Sequence, residues 1–398
     1  MSGLHLTLNL VLLLLFFQIS MSHSLSSPHM TMPSEKTMKA IVATRFGNPN
    51  DVLFLRDDVP LPTAFNTSSK TKNDKSSQSS NCLLVKVHAC SLSPGDYRAL
   101  LGDKTIVCQP KEWPYIPGGD ICGTVVSVPS DGPWKEKFPV GTKIVSTWDI
   151  WGRGGLGQWM SVDPRRTVRL PSEGVTEVEG AALANSASHA VKVVKRANIR
   201  EGDRVLVLGG SGGVGTIVVK LLKLRNCSYI ATTSTDEPLM KSLGVDRVID
   251  YTKENFYDIE EFQKTKFDCI IDCAVGIEAW KACLPVMKRG PEGGRFVAVV
   301  YQEHFIAGNT FLQIVKLLIP PIFRQLINGW WTTPAYRMYL DQPTLETMDE
   351  VLDLASSKKI VTVLDPESPH PFTEQGVRDA WNKHISRKGH GKIVIEVE

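Results

Sequence analysis

Between Asp203 and Leu224 the chain reads DRVLVLGGSGGVGTIVVKLLKL, and few folds accommodate such a stretch. Val205 to Leu208 form a short apolar run, suited to a strand buried on both faces of a parallel sheet. Five glycines then fall within seven positions, and from Thr216 the apolar residues Ile217, Val218, Leu221 and Leu222 recur at helical spacing. Gly210-x-Gly212-x-x-Gly215 thus follows a strand and opens a helix. Glycine permits the tight turn and lets a pyrophosphate approach the amides at the helix N-terminus. In that context Gly210, Ser211, Gly212, Gly213, Val214 and Gly215 are the expected dinucleotide-binding residues.

Strand and helix patterns continue beyond it: YIATT, a helix around Pro238 to Leu243, DRVIDY, FDCIIDC, a helix near Ile277 to Met287, and RFVAVV. Such alternation predicts a parallel, doubly wound sheet. Before the motif the pattern differs. KAIVATRFG, DVLFLRDDVPLP, LLVKVHACSLSP, ICGTVVSV and VGTKIVST are β-rich runs broken by Gly and Pro, as in a small antiparallel barrel extending to about Leu170. A helical segment over Val178 to Arg196 separates the two. Residues 63–81 are polar and read as a solvated loop insertion, with a glycosylation sequon at Asn66-Thr67-Ser68. The apolar stretch Phe305 to Trp331 is interrupted by Pro320-Pro321 and by internal charges, so it reads as a buried or interface segment rather than a membrane span.

The 398 residues leave room for two domains, and a net charge of +3 without a basic block argues against nucleic acid as a partner. Eight cysteines without a C-x-x-C pair give neither a zinc ribbon nor a dithiol motif, and reduced thiols are expected. Leu4 to Ile19, with LVLLLLFF at its centre, makes residues 1–25 a signal-like or anchor segment. It points to a secretory route, membrane association or organelle import.

VKVHACSLSPGDYRALLG, YIPGGDICGTVVSV, AALANSASHAV, VLVLGGSGGVG, SLGVDRVIDY and GKIVIEV occur in the order found in the medium-chain dehydrogenase/reductase superfamily, which the chain resembles from Met38 to its end. WWTTPAYRMYLDQPTLETMDEVLDL is most similar to zinc-free quinone oxidoreductases of the reticulon-4-interacting protein type. The resemblance implies an α/β architecture: a GroES-like β-barrel catalytic domain over 38–172, a Rossmann doubly wound parallel-sheet cofactor domain over 173–335, and a C-terminal return to the catalytic domain over 336–398. It also implies homodimers.

Zinc enzymes of that superfamily use a Cys, the His of a Gly-His-Glu stretch and a later Cys. Here Gly118-Gly119-Asp120 lacks the histidine, Cys90 lies upstream of the ligand position near Ser93 to Asp96, and the four-cysteine structural lobe is missing. A metal-free relative is expected to reduce substrates with a built-in electron sink, quinones or α,β-unsaturated carbonyls, by hydride transfer from nicotinamide C4. The alternatives are an NADPH-binding scaffold or interaction protein with little turnover, and an enoyl-thioester reductase.

The second strand ends in Ser234-Thr235, where NAD enzymes place a carboxylate; Asp236 follows one step later. Two hydroxyls suit a 2′-phosphate, so NADPH is the expected cofactor over NADH. The resemblance adds Tyr251 beside the adenosine phosphate, Lys241 as a source of charge, and His390 and Lys392 in the C-terminal His-Gly-Lys. It places Ser91 to Arg98 at the nicotinamide, with Ser93 where relatives carry asparagine. Ser93 and Tyr97 are the catalytic candidates: Ser93 to bond cofactor or substrate, Tyr97 either to donate to a carbonyl or to pack. Asp96 is read as a helix cap. Arg98 would border the substrate or form a surface ion pair, and Trp330, Trp331 and Tyr336 suggest an aromatic pocket wall or simply core. His189 is assigned no chemistry.

Overall fold

The computed structural model describes residues 36–62, 82–102, 110, 113–129, 132–147, 154–276, 278–290, 293–299, 319, 322–328, 334–339 and 341–397. The signal-like segment, the 63–81 insertion, Trp330 and Trp331 lie outside the described residues.

The N-terminal half is built from β1 (Thr37–Ala43), β2 (Leu53–Pro60), β3 (Leu83–Ser91), β4 (Asp120–Ser127), β5 (Lys143–Ser146), β6 (Trp159–Val162) and β7 (Thr167–Arg169). β1 and β2 pair with each other, and β3 pairs antiparallel with both β4 and β6. Their inward side chains, among them Ile41, Val85, Val87, Ile121 and Ile144, form one apolar core.

The parallel sheet contains β8 (Arg204–Leu208), β9 (Tyr229–Thr233), β10 (Arg247–Ile249), β11 (Cys269–Asp272), β12 (Arg295–Ala298) and β13 (Ala335–Met338), in the order β10-β9-β8-β11-β12-β13. Alternation along β8 serves two cores: Val205 and Val207 face one, Leu206 and Leu208 the other. Both faces are therefore covered by apolar residues, which accounts for the uninterrupted run in the sequence. The strand order reverses between β8 and β11, and at such a switch point the carboxyl ends of the strands are where doubly wound sheets bind their ligands.

β13 begins at residue 335, the expected last residue of the cofactor domain, and runs three residues past it to Met338. The return itself is made by β14 (His370–Pro371) and β15 (Val394–Glu396), with β15 antiparallel to β3. The expected helical segment is two helices, Glu177–Leu183 and Ser186–Ala197. Residues 322–328 are helical and leave Phe323 and Leu326 60% and 59% exposed, so this part of the apolar stretch is not buried within the chain.

Candidate active site

The glycine turn lies between β8 and a helix over Gly213–Leu224. A Cβ on Gly215 would stand 2.2 Å from the Gly209 carbonyl oxygen, and one on Gly210 would stand 2.0 Å from Thr232 Oγ1. These two glycines are demanded by the protein's own packing. Gly212 differs: the nearest atom to its missing Cβ is Gly209 O, at 3.6 Å. The room above Gly212 belongs to no described side chain, and the first amides of the helix are unsatisfied by construction. A pyrophosphate fits this cradle.

At the end of β9 the residues divide. Ser234 is buried and its Oγ accepts from the Asp236 amide at 3.0 Å, so it shapes the turn; Thr235 is exposed. Asp236 Oδ1 accepts from the Leu239 amide at 2.9 Å, capping a helix over Glu237–Ser242. Lys241 Nζ donates to the Asp246 carbonyl at 2.5 Å, and Tyr251 is 59% exposed.

The C-terminal segment joins this turn to the barrel. Gly391 N donates to Ser211 O at 2.7 Å. The stem of Lys392 lies so close to Gly213 that a Cβ there would meet its Cδ at 2.6 Å. Lys392 Nζ then reaches across to donate to Leu92 O at 2.8 Å. Its ammonium is buried in the field of Asp120 and Asp96; burial pulls its pKa down against their opposing attraction. Lys392 therefore faces inward as a strut between the two halves. His390 Nδ1 is enclosed without a hydrogen-bond partner among the described residues, while its amide is held by Asp365.

Ser93 opens the helix Pro94–Leu100, and both its amide and its hydroxyl donate to Asp96 Oδ2 at 2.8 Å. Asp96 is buried, and that burial, with Asp120 nearby, raises its pKa to about 7. Tyr97 is partly buried and meets the ring of His384 edge-on, centroids 5.5 Å apart. His384 comes from the helix Glu374–Ser386; burial lowers it to about 4, and its enclosed Nε2 has no partner among the described residues. Arg98 is partly exposed in the last turn of its helix.

Among the described residues, the zinc-ligand positions of related enzymes hold no ligand set. Ser93 is committed to Asp96, and residue 119 is a glycine. Cys90 Sγ is packed where Cβ atoms on Gly118 and Gly155 would approach to 2.6 and 2.9 Å, and burial pushes its thiol well above the ordinary range. Among the described residues one other grouping has metal-like spacing, Asp365, Glu367 and His370, and there the Lys383 ammonium already lies 2.6 Å from Glu367 and 3.4 Å from Asp365. Every described cysteine is a free thiol.

Tyr336 requires a correction. It is 2% exposed, stacks on Phe296 and meets Trp280 edge-on at 5.1 Å, all within the core beneath the parallel sheet. Its cross-strand partner on β12 is Phe296, with which it belongs to that core. The sequence reading missed His384 and the partner of His189. His384 lies 291 positions from Ser93, with no local motif to mark it. His189 Nδ1 is 2.6 Å from Tyr339 Oη, a pairing across 150 positions.

A barrel docked on a doubly wound sheet, with a glycine cradle at the switch point, defines a pyridine-nucleotide-dependent oxidoreductase. Residues 79–172 match the family described as alcohol dehydrogenase GroES-like domain, and residues 243–395 that described as zinc-binding dehydrogenase. The chain is 30% identical over 386 residues to a 2-methylene-furan-3-one reductase of Solanum lycopersicum, covering 93% of this chain and 81% of that protein. It is 26% identical over 390 residues to the mitochondrial NAD(P)H oxidoreductase RTN4IP1 of Homo sapiens, covering 92% and 91%. The quinone oxidoreductase of Coxiella burnetii superposes with a TM-score of 0.70 at 22% identity, over 91% of this chain and 100% of that one. The chain belongs to the medium-chain dehydrogenase/reductase superfamily, among relatives that include quinone oxidoreductases.

Proposed function

We propose that this protein is a zinc-independent, NADPH-dependent reductase of quinones or α,β-unsaturated carbonyls. The observation that carries this reading is the buried ammonium of Lys392 beside Asp96 and Asp120. The counter-charge for these carboxylates comes from the protein itself, in the place where a metal ion would otherwise supply it. Without a Lewis acid to stabilise an alkoxide, the favoured substrates are those that accept hydride into a conjugated system. The nicotinamide, when bound, supplies that hydride.

The chain's residues supply binding and orientation. The amides from Gly213 to Gly215 hold the pyrophosphate, with Gly212 leaving it room. Asp236 Oδ1 is taken up by its helix cap, which makes it less suited to bind the ribose hydroxyls of NADH, and Thr235 offers an exposed hydroxyl. The Lys392 strut keeps the cofactor turn and the Ser93 loop in register. Tyr97 is the proposed donor to the substrate oxygen, its ring steadied by His384.

Fluorescence titration with NADPH and NADH, followed by addition of 1,4-quinones and enones to chelator-treated protein, tests this reading. NADPH should bind at least tenfold more tightly and be oxidised by both substrate classes. Comparable catalytic efficiency with the two cofactors, or stoichiometric zinc by elemental analysis, would overturn it. Tight binding without turnover across the panel would favour a scaffold.

Relatives are chloroplastic or mitochondrial, which supports organelle import as the role of the N-terminal segment. No helix among the described residues is long and apolar enough to cross a membrane.

A further inference from the structure

The parallel sheet assigns the two ends of a dinucleotide to different strands. The adenosine half lies over β8 and β9, where the glycine turn and Thr235 are found, so the nicotinamide half falls to the carboxyl ends of β11 to β13. Tyr339 follows β13 at that edge, with its amide bonded to Ala298 O at 3.0 Å. His189 sits in the first turn of the helix Ser186–Ala197, one turn beyond Ser186, whose Oγ would lie 3.5 Å from a Cβ on Gly213. The His189–Tyr339 pair thus stands between the glycine turn and the strand ends.

The tautomer follows from proton accounting. Tyr339 is 4% exposed, and its hydroxyl makes no other hydrogen bond to a described residue. Were Nδ1 to donate, the buried phenolic proton would lack an acceptor; with Tyr339 donating to Nδ1, no proton is stranded. The imidazole proton then sits on Nε2. No hydrogen bond from a described residue reaches Nε2, and the ring is partly exposed. Burial and the nearby charges of Lys192 and Lys392 lower His189 to about 4, so the ring stays neutral. A neutral donor suits an uncharged carbonyl better than a phosphate.

We propose that His189 is a positioning residue for the nicotinamide ring, its Nε2–H, oriented by Tyr339, bonding the carboxamide oxygen. This rests on the reading of the chain as a nicotinamide-dependent enzyme and adds residues to which that reading gave no role. Ring orientation relative to the substrate would then depend on a hydrogen bond set by the tyrosine hydroxyl.

The test compares the whole reduced cofactor with the fragment that lacks nicotinamide, 2′-phospho-ADP-ribose. If NADH is the tighter cofactor, NADH and ADP-ribose replace them. His189→Ala should weaken binding of the whole cofactor roughly tenfold and leave fragment affinity unchanged. Tyr339→Phe, which keeps the ring and removes only the hydroxyl, should give a smaller loss with the same selectivity. Equal losses for cofactor and fragment in both variants would mean a purely structural pair and overturn the proposal. So would unchanged affinity for both ligands, or unchanged cofactor affinity with a fallen kcat, which would assign the donor to the substrate instead. Wild-type protein that binds no reduced nicotinamide cofactor would overturn both this and the reading beneath it.

Discussion

The glycine turn and the pocket around Lys392 handle charge in opposite ways. The turn offers anion-binding capacity through backbone amides, from seven consecutive positions, with no charged side chain of its own. The pocket gathers Asp96, Asp120, His384 and Lys392 from four separate segments and buries two carboxylates with one ammonium. A backbone site depends on local conformation and on space. A side-chain site depends on long-range assembly and on the balance of desolvation against attraction. The first should fail through sterics, the second through pH.

The largest effect is expected within the turn itself, where two glycines of the same motif should behave differently. Gly215→Val puts atoms inside contact distance of the Gly209 carbonyl and of Gly210 Cα, 2.2 and 2.8 Å from the new Cβ. Strand and helix must separate, and the variant should fail to fold or lose more than the ~1–3 kcal/mol of ordinary overpacking. Gly212→Val meets only ordinary contact and should keep its melting temperature within a few degrees while losing most cofactor affinity. Circular dichroism melts beside cofactor titrations separate the two. If both variants melt alike, the cradle above Gly212 is not what the motif protects.

The same contrast explains what could be read without coordinates. The turn, the alternating strands and the barrel were legible because their signals are contiguous: glycine spacing, apolar runs of strand length, helical periodicity. The resemblance put Lys392 among the cofactor-binding candidates but did not mark it as an inward strut, because its partner Leu92 O lies 300 positions away. Asp96 was read as a cap and Ser93 as a catalytic candidate; that Ser93 bonds Asp96, and that this carboxylate is buried near Asp120, could not be seen from spacing. Tyr336 was misplaced for a related reason. An aromatic residue reads alike in a pocket wall and in a sheet core, and only its register against Phe296 decides.

Removing the ammonium from the pocket should have the next largest effect. Lys392→Met keeps most of the stem that packs on Gly213 but leaves Asp96 and Asp120 without their counter-charge. Breaking a buried pair in this way costs about 3–5 kcal/mol. The loss should depend on pH, because Asp96 takes up a proton near pH 7 and would do so more readily without the lysine. Urea midpoints at pH 8 and pH 5.5 should therefore show a larger defect at pH 8. An equal defect at both values would mean that the lysine acts through packing alone.

The smallest expected effect is a slope. The folded-state pKa of Asp96 is raised from 3.8 to about 7, so its contribution to stability is full below about 3.8 and is lost as pH rises toward 7. His189 and His384 shift the other way, from 6.5 to about 4, so theirs is full above 6.5 and is lost as pH falls toward 4. Between pH 4.5 and 6 the unfolded chain thus binds two imidazole protons that the folded chain refuses, while the folded chain keeps one carboxyl proton that the unfolded chain has released. The difference is one proton, and stability should fall on acidification by about 1.4 kcal/mol per pH unit. His88 and His370, also lowered by burial, steepen the fall further. Asp96→Asn preserves an acceptor for the Ser93 amide but removes the opposing proton, so its slope should exceed that of wild type by about 1.4 kcal/mol per unit. Urea melts at half-unit pH intervals measure both slopes. Parallel slopes would show that Asp96 is ionised in the folded protein, and the pocket would then hold one more negative charge than its burial supports.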